Sequence, residues 1–294
     1  MHEITACPIC DQTAFFHYTT CEDHTVSHQK FSLDKCISCG FVFTNPRPTD
    51  KDLPTYYQSD AYISHSNRSA SLIDKAYKIA RTFTLKWKYN LIRKNTLLSP
   101  KSILDFGCGT GAFLEHCRKQ RLKIFGVEPS DSAREQARRN TGADIKANIA
   151  EVSGTFDVIT LWHVLEHVTD LHATIQQLKS RLNQNGTMFI AVPNLESYDA
   201  KEYLGHWAAY DVPRHLWHFS RTSMQKLLQH HQLNLSGIIP MPLDAYYVCL
   251  LSEKYRGASK GIPAIFRAVQ NAMTANWKAK TSSEYSSLIY IVRK

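Results

Sequence analysis

Three groups of residues in this chain carry chemistry by type and spacing. The first is the run Leu104-Asp105-Phe106-Gly107-Cys108-Gly109-Thr110-Gly111, where an apolar strand pattern gives way to a helical one. Small residues at such a turn let backbone N–H groups approach a ligand closely, and the helix start that follows suits a nucleotide-like molecule. Asp105 precedes the first glycine, where a carboxylate repels a pyrophosphate but accepts hydrogen bonds from an ammonium group. Glu128 closes the next apolar run, Ile124 to Val127, from which an acidic side chain can reach both hydroxyls of a ribose.

The second group is two C-x-x-C pairs, Cys7 with Cys10 and Cys36 with Cys39. Four thiolates can close a tetrahedral zinc site, and four protein ligands leave no open position, so such a metal is structural. Cys21 and His24 offer a competing way to complete a site begun by Cys7 and Cys10. The third group is rich in imidazole: His163, Glu166 and His167, then Tyr210, Asp211, Arg214, His215 and His218. Histidine titrates near working pH, which suits a general base.

Elements must hold these groups in place. Residues 1–45 contain short β-like runs, Ala14 to Thr19 and Phe41 to Thr44, and Asn45-Pro46-Arg47-Pro48 then breaks regular structure. Apolar residues from Ser71 to Leu98 recur at the helical period. Beyond Pro100, strands are expected at Ser102 to Phe106, Lys123 to Val127, Phe156 to Leu161 and Thr187 to Val192, with helices between them. That alternation implies an α/β fold with a parallel, doubly wound sheet. The stretch Ser197 to Ser220 interrupts it before a helix at Thr222 to His231. Strands at Ser236 to Pro240 and Leu288 to Arg293 then enclose a helical segment near Asp244 to Lys254 and a looser polar stretch. The expected division is a zinc-ribbon-like module over 1–45, a linker and helical lead-in over 46–98, and one domain over 99–294 with an insertion at about 195–220.

Leu104 to Gly111, Val127-Glu128-Pro129-Ser130, and Phe156 to Ile159 followed by Leu165-Glu166-His167-Val168 resemble the successive motifs of class I S-adenosylmethionine (SAM)-dependent methyltransferases. The resemblance covers roughly residues 99–294. It implies a Rossmann-like, seven-stranded sheet whose last hairpin is antiparallel, with SAM across the C-terminal ends of the first strands. It also implies that Asp105, Gly107, Cys108, Gly109, Gly111 and Glu128 bind the cofactor, that Ala147, Asn148 and Ile149 lie beside its adenine, and that Leu161 to His163 lie near its methionine moiety. The carboxylate of Asp105 agrees, because it favours SAM over NAD.

The run Cys39-Gly40-Phe41-Val42-Phe43-Thr44-Asn45-Pro46-Arg47-Pro48 is similar to the N-terminal module of a methyltransferase group that includes sugar C-methyltransferases. That likeness implies Cys36 and Cys39 as the second ligand pair, whereas a set with Cys21 and His24 resembles the finger of a ribosomal RNA guanine methyltransferase family. In the sugar enzymes a tyrosine, a glutamate and a histidine assist deprotonation beside a keto group. That likeness reaches only Glu166 and His167, and with His215 and Tyr210 from the polar, aromatic insertion these are the catalytic candidates.

The 294 residues carry a formal charge of +9, which favours polyanionic partners, yet no clustered basic run favours nucleic acid over a small acceptor. No stretch approaches the ~18 apolar residues of a membrane span, and residues 1–10 lack the basic and apolar regions of a signal peptide, so a cytoplasmic protein is expected. The expected activity is methyl transfer to a small molecule, sugar-linked or a secondary metabolite. An RNA methyltransferase is the alternative that charge and the cysteine module suggest, although no N/D-P-P-Y/F-type motif stands near Val192-Pro193-Asn194. A non-enzymatic SAM- or nucleic-acid-binding module is a third reading, against which the intact Asp105, Glu128 and glycine loop argue.

Overall fold

In the computed structural model, which describes residues 1–57, 72–257 and 262–294, and no side chain from 72 to 82, the chain opens with three antiparallel strands. These are β1 (Phe15–Glu22), β2 (Lys30–Cys36) and β3 (Val42–Thr44). No strand is expected from the sequence at β2, although Phe31 and Leu33 are buried there while Lys30, Ser32 and Asp34 are not, the alternation of a half-buried strand.

Helix α1 (Leu72–Asn95) follows; Ser71, its expected start, lies outside the described residues. The alternating run is then β4 (Ser102–Phe106), α2 (Ala112–Lys119), β5 (Lys123–Val127), α3 (Asp131–Thr141), β6 (Phe156–Trp162), α4 (Leu171–Arg181) and β7 (Leu182–Pro193). After it come α5 (Tyr198–Tyr203), β8 (Trp217–His218), α6 (Arg221–His230), β9 (Asn234–Pro240), α7 (Asp244–Tyr255), α8 (Ile262–Ser282) and β10 (Ser287–Arg293). Helix α8 replaces the expected loose polar stretch. It buries the small stripe Ala268, Ala272, Ala275 and Ala279, while Phe266, Met273 and Trp277 stand exposed, so its apolar signal does not face the core. No helix among the described residues is long and apolar enough to cross a membrane.

The main sheet has the order β5-β4-β6-β7-β10-β9, with β5, β4, β6 and β7 parallel and β10 antiparallel to both its neighbours. The antiparallel hairpin is where the resemblance puts it, but the sheet has six strands rather than seven. Beside β5, the expected seventh strand is reduced to one bridge between Val127 and Lys146. Of the residues there, Ile145 is fully buried while Asp144 is exposed, so an edge strand has little apolar surface to bury.

The N-terminal strands do not form a sheet alone. Their order is β1-β2-β3-β8, the fourth strand coming from the insertion, and Cys7, Ile9, Phe41 and Phe43 share one apolar core with Leu161, Trp217 and Phe219. Arg214 clasps the two parts. Its guanidinium, 1% exposed, reaches Asp23 at 2.9 Å, Asp211 at 2.7 Å and the carbonyl of Tyr56 at 2.9 Å. Asp23 is itself held by the backbone N–H groups of Thr25, Val26 and Ser27.

Candidate active site

Because β4, β5, β6, β7 and β9 run the same way, the loops after them gather at one end of the sheet. The glycine loop after β4 is left-handed at all three glycines, with φ of 76° at Gly107, 54° at Gly109 and 76° at Gly111. A Cβ at Gly107 would come 2.5 Å from Val164, and one at Gly111 would meet Thr141 at 2.9 Å and Ala137 at 3.1 Å. These two glycines let the loop pack. At Gly109 a Cβ would meet nothing within 4 Å, so this glycine borders open space.

The backbone N–H groups of Gly107 and Cys108 donate to the carbonyl of Val127. Glu128 accepts from the N–H of Gly109 at 2.8 Å and from that of Ser130 at 2.9 Å, which fixes its carboxylate beside the loop and leaves each oxygen a further lone pair. Asp105 is 2% exposed, and its one fixed partner is the Thr160 hydroxyl, donating at 2.6 Å. Burial pushes the Asp105 carboxyl up to about 7, against the Thr160 hydrogen bond and the nearby Lys88 ammonium and with help from Glu128. Such a group accepts a cationic ligand by becoming a full carboxylate.

Other expected cofactor contacts stand differently. Leu161 and Ile149 are buried in the core, so any ligand contact there falls to backbone. Asn148 caps the short turn Ile149–Glu151, its side chain accepting from Ala150 while Glu151 accepts from the Asn148 N–H. Cys108 is buried too, at 8% exposure. Trp162, within the segment expected near the methionine moiety, has its ring under the Lys88 ammonium at 4.2 Å and its indole N–H buried without a hydrogen bond.

The loop after β6 carries an imidazole cluster. His163 has a left-handed backbone, φ 56°, a conformation that stores strain in a residue with a side chain. Its ring nitrogens lie 3.0 Å from Asp244 and 3.4 Å from Glu166. Burial opposes charge on His163, but the hydrogen bond to Asp244 and the facing Glu166 carboxylate outweigh it and lift its pKa to about 10. Glu166 is fully buried, and neither oxygen makes a hydrogen bond of ordinary geometry. Burial alone would neutralise it; the facing histidines, His163 foremost, hold its pKa below the usual carboxylate range.

Nδ1 of His167 lies 3.1 Å from both the Arg214 carbonyl and the Tyr57 hydroxyl. A carbonyl only accepts, so Nδ1 carries the proton and Nε2 keeps its lone pair. Burial and then His215 lower the His167 pKa to about 4, which keeps the ring neutral. His215 packs edge-on against His167 at 4.5 Å and donates from Nδ1 to the carbonyl of Ala209. The donor atoms of Glu166, His167 and His215 lie within 4.8 Å of one another, a set that can accept a proton or hold a divalent cation.

Tyr210 does not join them in an accessible position. It is 2% exposed, its ring lies against Trp207 and His218, and burial raises its phenol far above the ordinary range, which suits packing and not a base. His218 is buried against Thr44, and Arg214 with Asp211 forms the clasp described above.

The four paired cysteines converge: Cys7 faces Cys39 and Cys10 faces Cys36, each at 3.5 Å between sulfurs, and all four sulfurs lie within 4.8 Å. That spacing fits a tetrahedral thiolate site with Zn–S bonds of about 2.3 Å. Cys21 is buried elsewhere, in the core containing Tyr210, and His24 stacks on Tyr255 at 4.2 Å, so the competing ligand set is not assembled.

A family model described as a methyltransferase domain matches residues 80–236. The chain belongs to that family, as a class I SAM-dependent methyltransferase by fold and cofactor motif. Over 172 residues it is 26% identical to the mitochondrial ubiquinone biosynthesis O-methyltransferase of Bos taurus, covering 51% of this chain and 46% of that one. Over 126 residues it is 30% identical to the ubiquinone biosynthesis O-methyltransferase of Vibrio parahaemolyticus, covering 39% and 53%. The chain thus spans about half the length of the curated relatives it matches. A mycolic acid cyclopropane synthase complexed with SAH superposes with a TM-score of 0.54 at 14% identity, over 84% of this chain and 99% of that one. The magnesium protoporphyrin IX methyltransferase of Synechocystis PCC 6803, with bound SAH, gives 0.52 at 12% identity, over 83% and 100%. At these identities the two structures share the fold.

Proposed function

We propose that the chain transfers the methyl group of SAM to a small molecule that loses a proton as it is methylated. The observation that carries this reading is that the glycine cradle and the Glu166–His167 pair, which His215 of the insertion joins, follow neighbouring parallel strands, β4 and β6, and so open at the same end of the sheet. Asp105 would take the ammonium of SAM, Glu128 the ribose hydroxyls, and the open side of Gly109 the nucleoside. The methyl group leaves the sulfonium for the acceptor atom, S-adenosylhomocysteine departs, and the acceptor's proton passes to Nε2 of His167 or His215. Cationic His163 keeps Glu166 ionised beside them, which stabilises the imidazolium so formed. The insertion at about 195–220 forms part of the acceptor pocket through His215. Residues 1–45, with zinc at Cys7, Cys10, Cys36 and Cys39, act as a structural module.

Titration calorimetry with SAM, followed by transfer of labelled methyl into the small-molecule and RNA fractions of a cell extract, tests this reading. Label in small molecules is the expected result; label only in RNA, or binding of NADH in place of SAM, overturns it. For the module, the cobalt-substituted protein should show thiolate charge-transfer absorption that survives Cys21→Ser and disappears in Cys36→Ser.

A further inference from the structure

Touching the loop of the first cysteine pair, through Pro8, is a second group of metal-type donors. His172 lies in the first turn of α4, His230 ends α6, and His231 is the residue that caps it. Adjacent helical residues normally diverge by about 100°. The cap breaks that rule here: His231 leaves the helical conformation with ψ of 8°, and the three rings meet with centroids 4.7, 5.0 and 5.2 Å apart. One nitrogen from each ring falls within 4.8 Å of the others.

The hydrogen bonds orient the rings as ligands. Nε2 of His172 contacts the carbonyl of Pro8, which can only accept, so the proton sits on Nε2 and Nδ1 carries a lone pair that an N–H or a metal ion can meet. That lone pair faces Nε2 of His231 at 2.9 Å. A ring that donates one N–H to a backbone carbonyl and turns its other nitrogen inward has the arrangement that holds histidine on a metal. The rings border an open cavity of about 490 Å³, whose wall also carries Gln176, Gln232 and Lys179. Lys179 donates to the His231 carbonyl and so anchors the cap that brings the rings together.

We propose that His172, His230 and His231 form a second metal site, which takes a zinc-like divalent transition ion through three imidazoles and leaves its fourth position to water. Imidazole donors without carboxylates select zinc, nickel, cobalt or copper over magnesium or calcium. The site joins α4 and α6 of the methyltransferase core to Pro8, which lies between two of the paired cysteines, so the ion braces the N-terminal module against the sheet. Its three nitrogen ligands are separate from the four sulfurs, so the two sites can be counted separately.

The experiment is a count of metal on the whole chain. Protein equilibrated with Zn2+ and then gel-filtered is compared with His230→Ala and Cys36→Ser, and each is titrated with Co2+. His230 is exposed, so its loss should leave the fold intact, which a melting curve checks. The expected result is one equivalent fewer in His230→Ala than in the natural chain, with the thiolate absorption of cobalt unchanged. Cys36→Ser should retain a cobalt spectrum without thiolate bands, and the affinity of that remaining ion should fall tenfold or more when His230→Ala is added. Equal metal content in the natural chain and in His230→Ala overturns the proposal, as does a second equivalent that Cys36→Ser abolishes and His230→Ala leaves in place.

Discussion

The glycine cradle after β4 and the imidazole cluster after β6 face the same end of the sheet but are built by opposite means. In the cradle, the contacts are made by backbone: left-handed glycines, N–H groups on the Val127 carbonyl, and Glu128 pinned by two backbone donors. In the cluster, side chains from distant segments hold one another. His167 is met by Tyr57 and by the carbonyl of Arg214, and His163 by Asp244. The difference teaches that one local stretch of chain can specify a backbone cradle, whereas the imidazole cluster exists only where the N-terminal module and the insertion are docked. Substitutions should therefore separate the two regions.

The largest effect is expected at the clasp. Arg214→Met leaves Asp23 and Asp211 facing each other's charge without the guanidinium, and loss of one partner of a buried pair costs about 3–5 kcal/mol. Chemical denaturation should show that loss. If Arg214→Met is as stable as the natural chain, the module and insertion are not held as described. Next comes His167→Ala, for which turnover should fall ~10²-fold or more, about 2.7 kcal/mol, with SAM affinity nearly unchanged. A parallel loss of SAM affinity would erase the distinction between the regions.

On the cradle side the order of stability and binding should invert between two glycines. Gly107→Ala drives a methyl into Val164 and should lower the melting temperature more than Gly109→Ala, which adds only left-handed strain of about 1–2 kcal/mol. Gly109→Ala should nevertheless bind SAM more weakly, because its methyl enters the open space. The smallest effect is titration of Asp105. With a free-state pKa of about 7, set by burial against Thr160 and Lys88, the carboxyl must lose a proton to receive an ammonium. SAM affinity should therefore rise with pH, by about tenfold from pH 6 to pH 8, and flatten in Asp105→Asn. Calorimetry across that range decides it; a flat profile in the natural chain would remove Asp105 from the ammonium site.

Legibility followed the same divide. Asp105, the three glycines and Glu128 stand in one β-α-β unit, so their relation is set by local backbone geometry and could be read directly. The paired cysteines were equally readable, while the choice between Cys36 with Cys39 and Cys21 with His24 needed the fold. The edge strand that the resemblance implies beside β5 is reduced to one bridge and helix α8 stands where a loose polar stretch is expected, because apolar content is sparse in the first and faces outward in the second. Arg214, His218 and Tyr210 looked like pocket residues because polar and aromatic types suit chemistry as well as packing; burial assigns Arg214 to a clasp and the other two to the core.

The sequence by itself determined the alternating β-α run from Ser102 to Val192, the glycine loop flanked by Asp105 and Glu128, and the two C-x-x-C pairs, since each depends on residues a few positions apart or on a strand-and-helix period. Only the tertiary structure decided which histidines meet. His167 and Tyr57 are separated by 110 positions, and Arg214 and Asp23 by 191. Whether such residues touch depends on the register of β8 beside β3 and on the burial that makes an unpaired charge costly, and neither is written in the spacing of the residues themselves.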